Sequence, residues 1–153
     1  MSLNLPYNTD VDSSDANWVA DIHAMHTKFG VRPVVGGFDN EKLRKFLEFR
    51  LKFLQEELDE ANEAFESKDP ARAEDVVDAM IDLCVVAIGT LDAFNIDAYD
   101  AWDRVLQANM SKEVGIKEGR PNPLGLPDLM KPQGWQAPTH KHNVGLIADA
   151  LKV

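Results

Sequence analysis

Six carboxylates sit at helical spacing on two neighbouring segments: Glu56, Glu57 and Glu60, then Asp75, Asp78 and Asp82. Asp75, Asp78 and Asp82 fall at i, i+3 and i+7, a single line on an α-helix, and the line runs on into Val85 and Gly89. Glu56, Glu57 and Glu60 project on the side that also carries Phe53 and Ala64, so they interrupt a packing face. From Ala79 to Leu91 the chain reads AMIDLCVVAIGTL, in which Asp82 is the sole charge. An ionised carboxylate in such surroundings is costly unless a cation accompanies it. The chain has 26 acidic side chains, only 16 Lys and Arg, and a formal net charge of -10. Few basic groups are left to neutralise two acidic stripes, so hard divalent cations with oxygen ligands are the natural partners. Glu63 and Glu66 read as an ordinary solvated helix face.

The elements that must position these groups are helical. Trp18, Ile22, Met25 and Phe29 predict a first helix from Asp15 to Phe29, stopped by Gly30 and Pro33. VRPVVGGFD then reads as a Gly-rich loop without the pattern of a phosphate loop. A long helix follows from Asn40 to Ser67, with one apolar stripe at Leu43, Leu47, Leu51, Leu54, Leu58, Ala61 and Phe65 and a second at Phe46, Phe49, Phe53 and Ala64. Apolar on two faces, it calls for neighbours on both sides, hence a bundle that associates as a homodimer or homotetramer. Asp69 and Pro70 open a third helix running to Phe94, and Asp97 caps a fourth that ends near Lys112. No period-2 alternation appears. The fold class is all-α, a four-helix-bundle-like core at residues 15–114. Residues 1–14 read as a disordered lead, and residues 115–153 as a Pro/Gly-rich extended tail with a short helix near Val144 to Leu151.

Composition narrows the function classes. An acidic chain of 153 residues lacks the Lys and Arg clusters that bind nucleic acid. No stretch is long and apolar enough for a membrane span, and no secretory leader is apparent. The single cysteine, Cys84, reads as a packed thiol, and without a disulfide framework a cytoplasmic setting is expected.

The segments EELDE at 56–60 and EDVVDAMID at 74–82 resemble the Glu-Glu-x-x-Glu and Glu-x-x-Asp signatures of the all-α nucleoside triphosphate pyrophosphatases, the MazG and phosphoribosyl-ATP pyrophosphohydrolase superfamily. VADIHAMHTKFG, IGTLDAFNID, ANMSK and KPQGWQAP are similar to its phage and bacterial branch, so the resemblance runs from Val19 to Pro138. It implies Glu57, Glu60, Asp75 and Asp78 as metal ligands, with adjacent Glu74 the alternative to Asp75, where the family usually has Glu. It makes Glu56 the residue that orients or deprotonates the attacking water. Asn109 and Lys112 match positions that contact the triphosphate, where a lysine point charge suits phosphate oxygens. Lys131 is expected to join them with Arg120 and Trp135 in a lid, and His26 to meet the substrate from the first helix. His23 and His26 at i, i+3 also imitate a metal pair, although polar-face histidines are commoner.

The chemistry implied is Mg²⁺-dependent hydrolysis of a nucleoside triphosphate between the α and β phosphates, with Mn²⁺ able to substitute. Hydrolysis of phosphoribosyl-ATP is the alternative within the family. A non-catalytic acidic helical protein that binds a basic partner is the alternative outside it.

Overall fold

The computed structural model describes residues 16–120 and 122–153, and the expected lead at 1–14 lies outside them. The architecture is all-α. Helix α1 (Trp18–Lys28) is capped by Asn17, whose side chain accepts from the Ala20 amide at 3.0 Å. Gly30, at φ 66°, turns the chain directly into a helix the sequence pattern did not suggest, α2 (Val31–Gly36). Pro33 was expected to stop helix formation here. It is the third residue of α2, in the first turn, where a missing N–H forfeits no intrahelical bond.

Helix α3 (Asn40–Glu66) begins at Asp39, which accepts from the Lys42 amide at 2.8 Å. Asp69 caps a 3-10 turn at Pro70–Arg72 that leads into α4 (Ala73–Ala93). Asp97 caps α5 (Ala98–Met110), taking both the Tyr99 and Asp100 amides. These short acidic caps satisfy amides that have no intrahelical acceptor. Beyond α5, β1 (Glu113–Gly115) and β2 (Asp128–Met130) pair antiparallel, with Val114 opposite Leu129. Three residues per strand are too few to show an alternation in sequence. A last turn of helix, α6 (Ile147–Ala150), closes the chain.

The α3–α4 hairpin is the frame of the molecule, with α1 packed on α4, α6 on α3, and α2 against α1 and α4. The core lies towards one end of this hairpin, where Val35, Leu43, Ala93, Phe94 and Ala150 are buried together. Phe94 is fully enclosed and stacks on Phe46 at 5.5 Å, which meets Phe38 edge-on. The far part of the tail is fastened to this core. Asn143 bonds reciprocally with the Asp97 backbone, at 2.9 and 2.7 Å, and the Leu146 amide donates to the Phe94 carbonyl at 2.8 Å. Gly145, at φ 48°, is required there, because a Cβ would collide with the Phe94 carbonyl oxygen.

Away from this core, apolar side chains on more than one face of the hairpin are bare in the single chain. Phe49, Leu51 and Phe65 of α3 and Val77, Met80 and Ile81 of α4 are exposed. Leu51, Leu58 and Phe65, expected within a buried stripe, therefore find no cover within the chain itself.

Candidate active site

The acidic stripes meet across the α3–α4 groove. Glu57 exposes only 7% of its surface, yet it lines a cleft of about 220 Å³ together with Asp82. Burial raises the proton affinity of the Glu57 carboxyl, and the negative charges of Glu60, Asp82, Asp78 and Glu56 raise it further. Four carboxylates from two helices thus act on a fifth. Among the described residues none of the ion pairs engages Glu56, Glu57, Glu60, Asp78 or Asp82.

Asp75 lies elsewhere in its bonding. Its carboxylate accepts from Arg72 Nε at 2.8 Å, while Arg72 Nη1 also reaches Glu63 at 3.4 Å. The hydrogen bond to Asp75 holds the Arg72 guanidinium above its ordinary value. Asp75 and Arg72 are neighbours across the first turn of α4, so the pairing is local and needs no tertiary contact. Of the four ligands the resemblance implies, Glu60 and Asp78 act on Glu57, and Asp75 is held by an arginine. Asp82 acts on Glu57 in the same way. Among the described residues no group of three or more His, Cys, Asp or Glu is already drawn together into a cage for a metal ion. The donor set itself, carboxylates on facing helices without a basic partner, has the chemistry that suits a hard divalent cation.

The cleft ends on two basic groups. Arg50 is committed to α4, with Nε donating to Thr90 Oγ1 and Nη2 to the Val86 carbonyl, both at 2.9 Å. Burial depresses its proton affinity. His26 is 6% exposed and lines the same cleft. Its Nδ1 lies 2.8 Å from Asp92 Oδ2, while His23 Nδ1 lies 2.7 Å from Oδ1 and Arg32 Nη1 donates to Oδ2 at 2.9 Å. Burial would raise the Asp92 carboxyl, but hydrogen bonds from His23, Arg32 and His26 and the Arg32 charge outweigh it and hold it below the ordinary range. Sequence reasoning singled out His26 and missed Asp92. The apolar run from Ala79 stops at Leu91, and the argument that drew attention to Asp82 within it applies equally to the next residue.

The remaining expected contacts form a separate cluster. Lys112 Nζ donates to Asn109 Oδ1 at 2.9 Å, and Lys112 and Lys131 hold their ammonium groups 5.5 and 4.9 Å from the Trp135 ring. Trp135 Nε1 donates to the Ala108 carbonyl at 2.8 Å, satisfying an acceptor in the last turn of α5. The lysines suit that helix end, where the dipole favours cations. Asn109, Lys112 and Lys131 therefore come together with Trp135, but none of them lines the cleft of Glu57 and Asp82. Arg120, expected beside them, is directed to Asp128 at 3.7 Å.

Residues 36–109, spanning α3, α4 and most of α5, match the family model of phosphoribosyl-ATP pyrophosphohydrolase. Over these residues the helical core is similar to this family, one of the MazG-like all-α pyrophosphatases. No curated protein shows significant similarity to the chain. The match takes in both acidic stripes, and the family's chemistry is pyrophosphate-bond hydrolysis in a nucleotide-like substrate. Among the described residues no helix is long and apolar enough to cross a membrane.

Proposed function

We propose that the protein is a Mg²⁺-dependent nucleoside triphosphate diphosphohydrolase that releases a nucleoside monophosphate and pyrophosphate. The observation that carries this reading is Glu57, a largely buried carboxylate whose proton affinity Asp78 and Asp82 raise from the neighbouring helix and which has no ion-pair partner among the described residues. Glu57, Glu60, Asp75 and Asp78 are the residues to hold the ions, with Asp82 beside them. Bound Mg²⁺ supplies charge neutralisation for the polyphosphate and acidifies a coordinated water, and Mn²⁺ shares the oxygen preference. Glu56, next to Glu57 and exposed on α3, orients or deprotonates the attacking water. Asn109, Lys112 and Lys131 offer donors to phosphate oxygens. The protein works as a homodimer or homotetramer, with bare apolar side chains of α3 and α4 in the contact. Because the lysine cluster does not line its own chain's cleft, that cluster serves the cleft of a neighbouring copy.

The test is a panel of ribo- and deoxynucleoside triphosphates with Mg²⁺, resolving products. Monophosphate and pyrophosphate in equal amounts are expected. Diphosphate and phosphate, or no turnover, would overturn the reading. The family match favours a second reading, phosphoribosyl-ATP as substrate. It belongs in the same panel, and selective turnover of it would displace the first.

A further inference from the structure

The cleft beneath the carboxylates is built for something other than phosphate. Its volume, about 220 Å³, is below the roughly 300–1,000 Å³ of pockets that enclose a whole drug-sized ligand. It takes one ring system. Met25, Phe53, Val85 and Val86 give it an apolar lining, and besides Glu57 and Asp82 its polar groups are His26 and Arg50. An anion entering without metal would meet two carboxylates, whereas a flat heteroaromatic ring meets apolar walls and a hydrogen-bonding floor. Gly89 makes that floor possible. A Cβ there would sit 2.8 Å from Arg50 Nη2 and 3.2 Å from His26 Nε2, so both side chains settle against the same bare stretch of α4.

We infer that Asp92 is a positioning residue for recognition of the substrate's base: it fixes His26 through Nδ1 so that Nε2 is presented, beside Arg50, to a nucleobase in this cleft. The neutral imidazole tautomer that donates to Asp92 carries its proton on Nδ1, which leaves Nε2 as an acceptor. Arg50 beside it spends Nε and Nη2 on α4 and has Nη1 as its remaining donor. An acceptor next to a donor matches the adjacent N–H and C=O, or amino and ring-nitrogen, groups on a base edge. Asp92 is anchored independently of any ligand, by His23 from the same helix as His26 and by Arg32 from α2. Arg32 is tied in turn to α1, through Thr27 Oγ1 at 2.6 Å and the His23 carbonyl at 3.2 Å. The arrangement is therefore rigid before substrate arrives, the condition for reading a base by hydrogen bonds at little entropic cost.

The inference rests on the proposed triphosphate hydrolysis, and the test separates the two. Steady-state kinetics of the full chain with Mg²⁺ are measured on the best nucleoside triphosphate of the panel and on inorganic tripolyphosphate, which has no base. Asp92→Asn should raise KM for the nucleotide about tenfold, the size of an orienting-partner effect, with kcat little changed and tripolyphosphate unaffected. His26→Gln places an amide near the Nε2 position and does not depend on Asp92. The double variant Asp92→Asn/His26→Gln should then be no worse than His26→Gln alone. Where Asp92→Asn does not fold, Gly89→Ala takes its place, since its methyl displaces Arg50 and His26 without touching Asp92. Histidine ¹⁵N spectra give a readout apart from turnover: His26 Nε2 should respond to the nucleotide and not to tripolyphosphate. Parental KM values, losses shared equally by tripolyphosphate, additive losses in the double variant, or a silent Nε2 would overturn the inference while leaving the hydrolase reading standing. A parent that neither binds nor hydrolyses any nucleoside triphosphate overturns both.

Discussion

Helix α4 carries carboxylates at both ends, and the fold treats them in opposite ways. Asp92, near its C-terminus, collects His23, His26 and Arg32 and is held ionised. Asp78 and Asp82, about three to four turns earlier, act on Glu57 and have no ion-pair partner among the described residues. A carboxylate surrounded by donors is a finished structural joint. Carboxylates pressed against one another are an unfinished one, stable only at a cost that an external cation relieves. The net charge of -10 alone would not separate the two ends. What separates them is where the few basic residues are committed.

The largest expected effect lies at the unfinished end. Glu57→Gln keeps the shape and removes a charge at the centre of the cluster, so turnover should fall roughly a thousandfold, the upper range for loss of a preorganised electrostatic group. The metal-free variant should melt no lower than the parent, because the substitution also relieves repulsion. Mg²⁺ should stabilise the parent by linkage, about 2.7 kcal/mol at a hundredfold excess over Kd, and this gain should shrink in the variant. Calorimetry with and without Mg²⁺, beside a product assay, checks all three. A Glu57→Gln protein with parental turnover and a parental Mg²⁺ shift would erase the contrast between the two ends.

Asp92→Ala should do the reverse. Removing the acceptor strands Arg32 and two imidazoles, and the cost should be about 3 kcal/mol, the lower end for breaking a buried charge pair since Arg32 is partly exposed. Urea unfolding in the absence of metal measures it. A loss no larger than a surface pair would mean that the three donors are independently satisfied.

How far these two ends could be read in the sequence differs for a physical reason. The acidic stripes repeat at helical spacing, so their convergence follows from periodicity and a hairpin. The caps Asp39, Asp69 and Asp97 act within three residues of themselves, and two of them were identifiable at once. Asp92 meets His23, His26 and Arg32 at separations of 69, 66 and 60 residues, and no local pattern encodes such a meeting. The docking of α6 against α3, and of Trp135 on the end of α5, is long-range in the same way. The tail therefore looked like an extended wrap by composition, although Ala150 is completely buried. Helix α2 was hidden by Pro33, whose meaning depends on its place in the turn.

The pH dependence of stability should carry both signatures with opposite sign. The folded Asp92 carboxyl lies below its unfolded value, so its contribution is complete above about pH 3.9 and is lost as pH falls through the folded value. The folded Glu57 carboxyl lies above its unfolded value, so the native state keeps that proton longer than the unfolded chain does. Metal-free stability from this group should decline as pH rises from about 4.3 through the raised value. Melting curves across this range should show Asp92→Asn flattening the acid side and Glu57→Gln flattening the decline above it. If either variant flattens the opposite limb, the assignment of the two carboxylates is reversed.

The smallest effect tests the boundary between the two kinds of site. Asp75 has been placed among the metal ligands, yet it is bonded to Arg72 like a finished joint. Both side chains are partly exposed, so solvent screens the pair and it contributes little to stability, and an ion drawing on Glu57 and Asp78 competes with Arg72 for the same carboxylate. Arg72→Ala should therefore leave metal-free stability almost unchanged and at the same time tighten Mg²⁺ binding, because Asp75 no longer has to be released. Titration of the melting temperature with Mg²⁺ reads both quantities from one series of curves. A variant that loses stability and binds Mg²⁺ no better, or more weakly, would make Arg72 and Asp75 a structural pair, and the adjacent Glu74 would then take the ligand position.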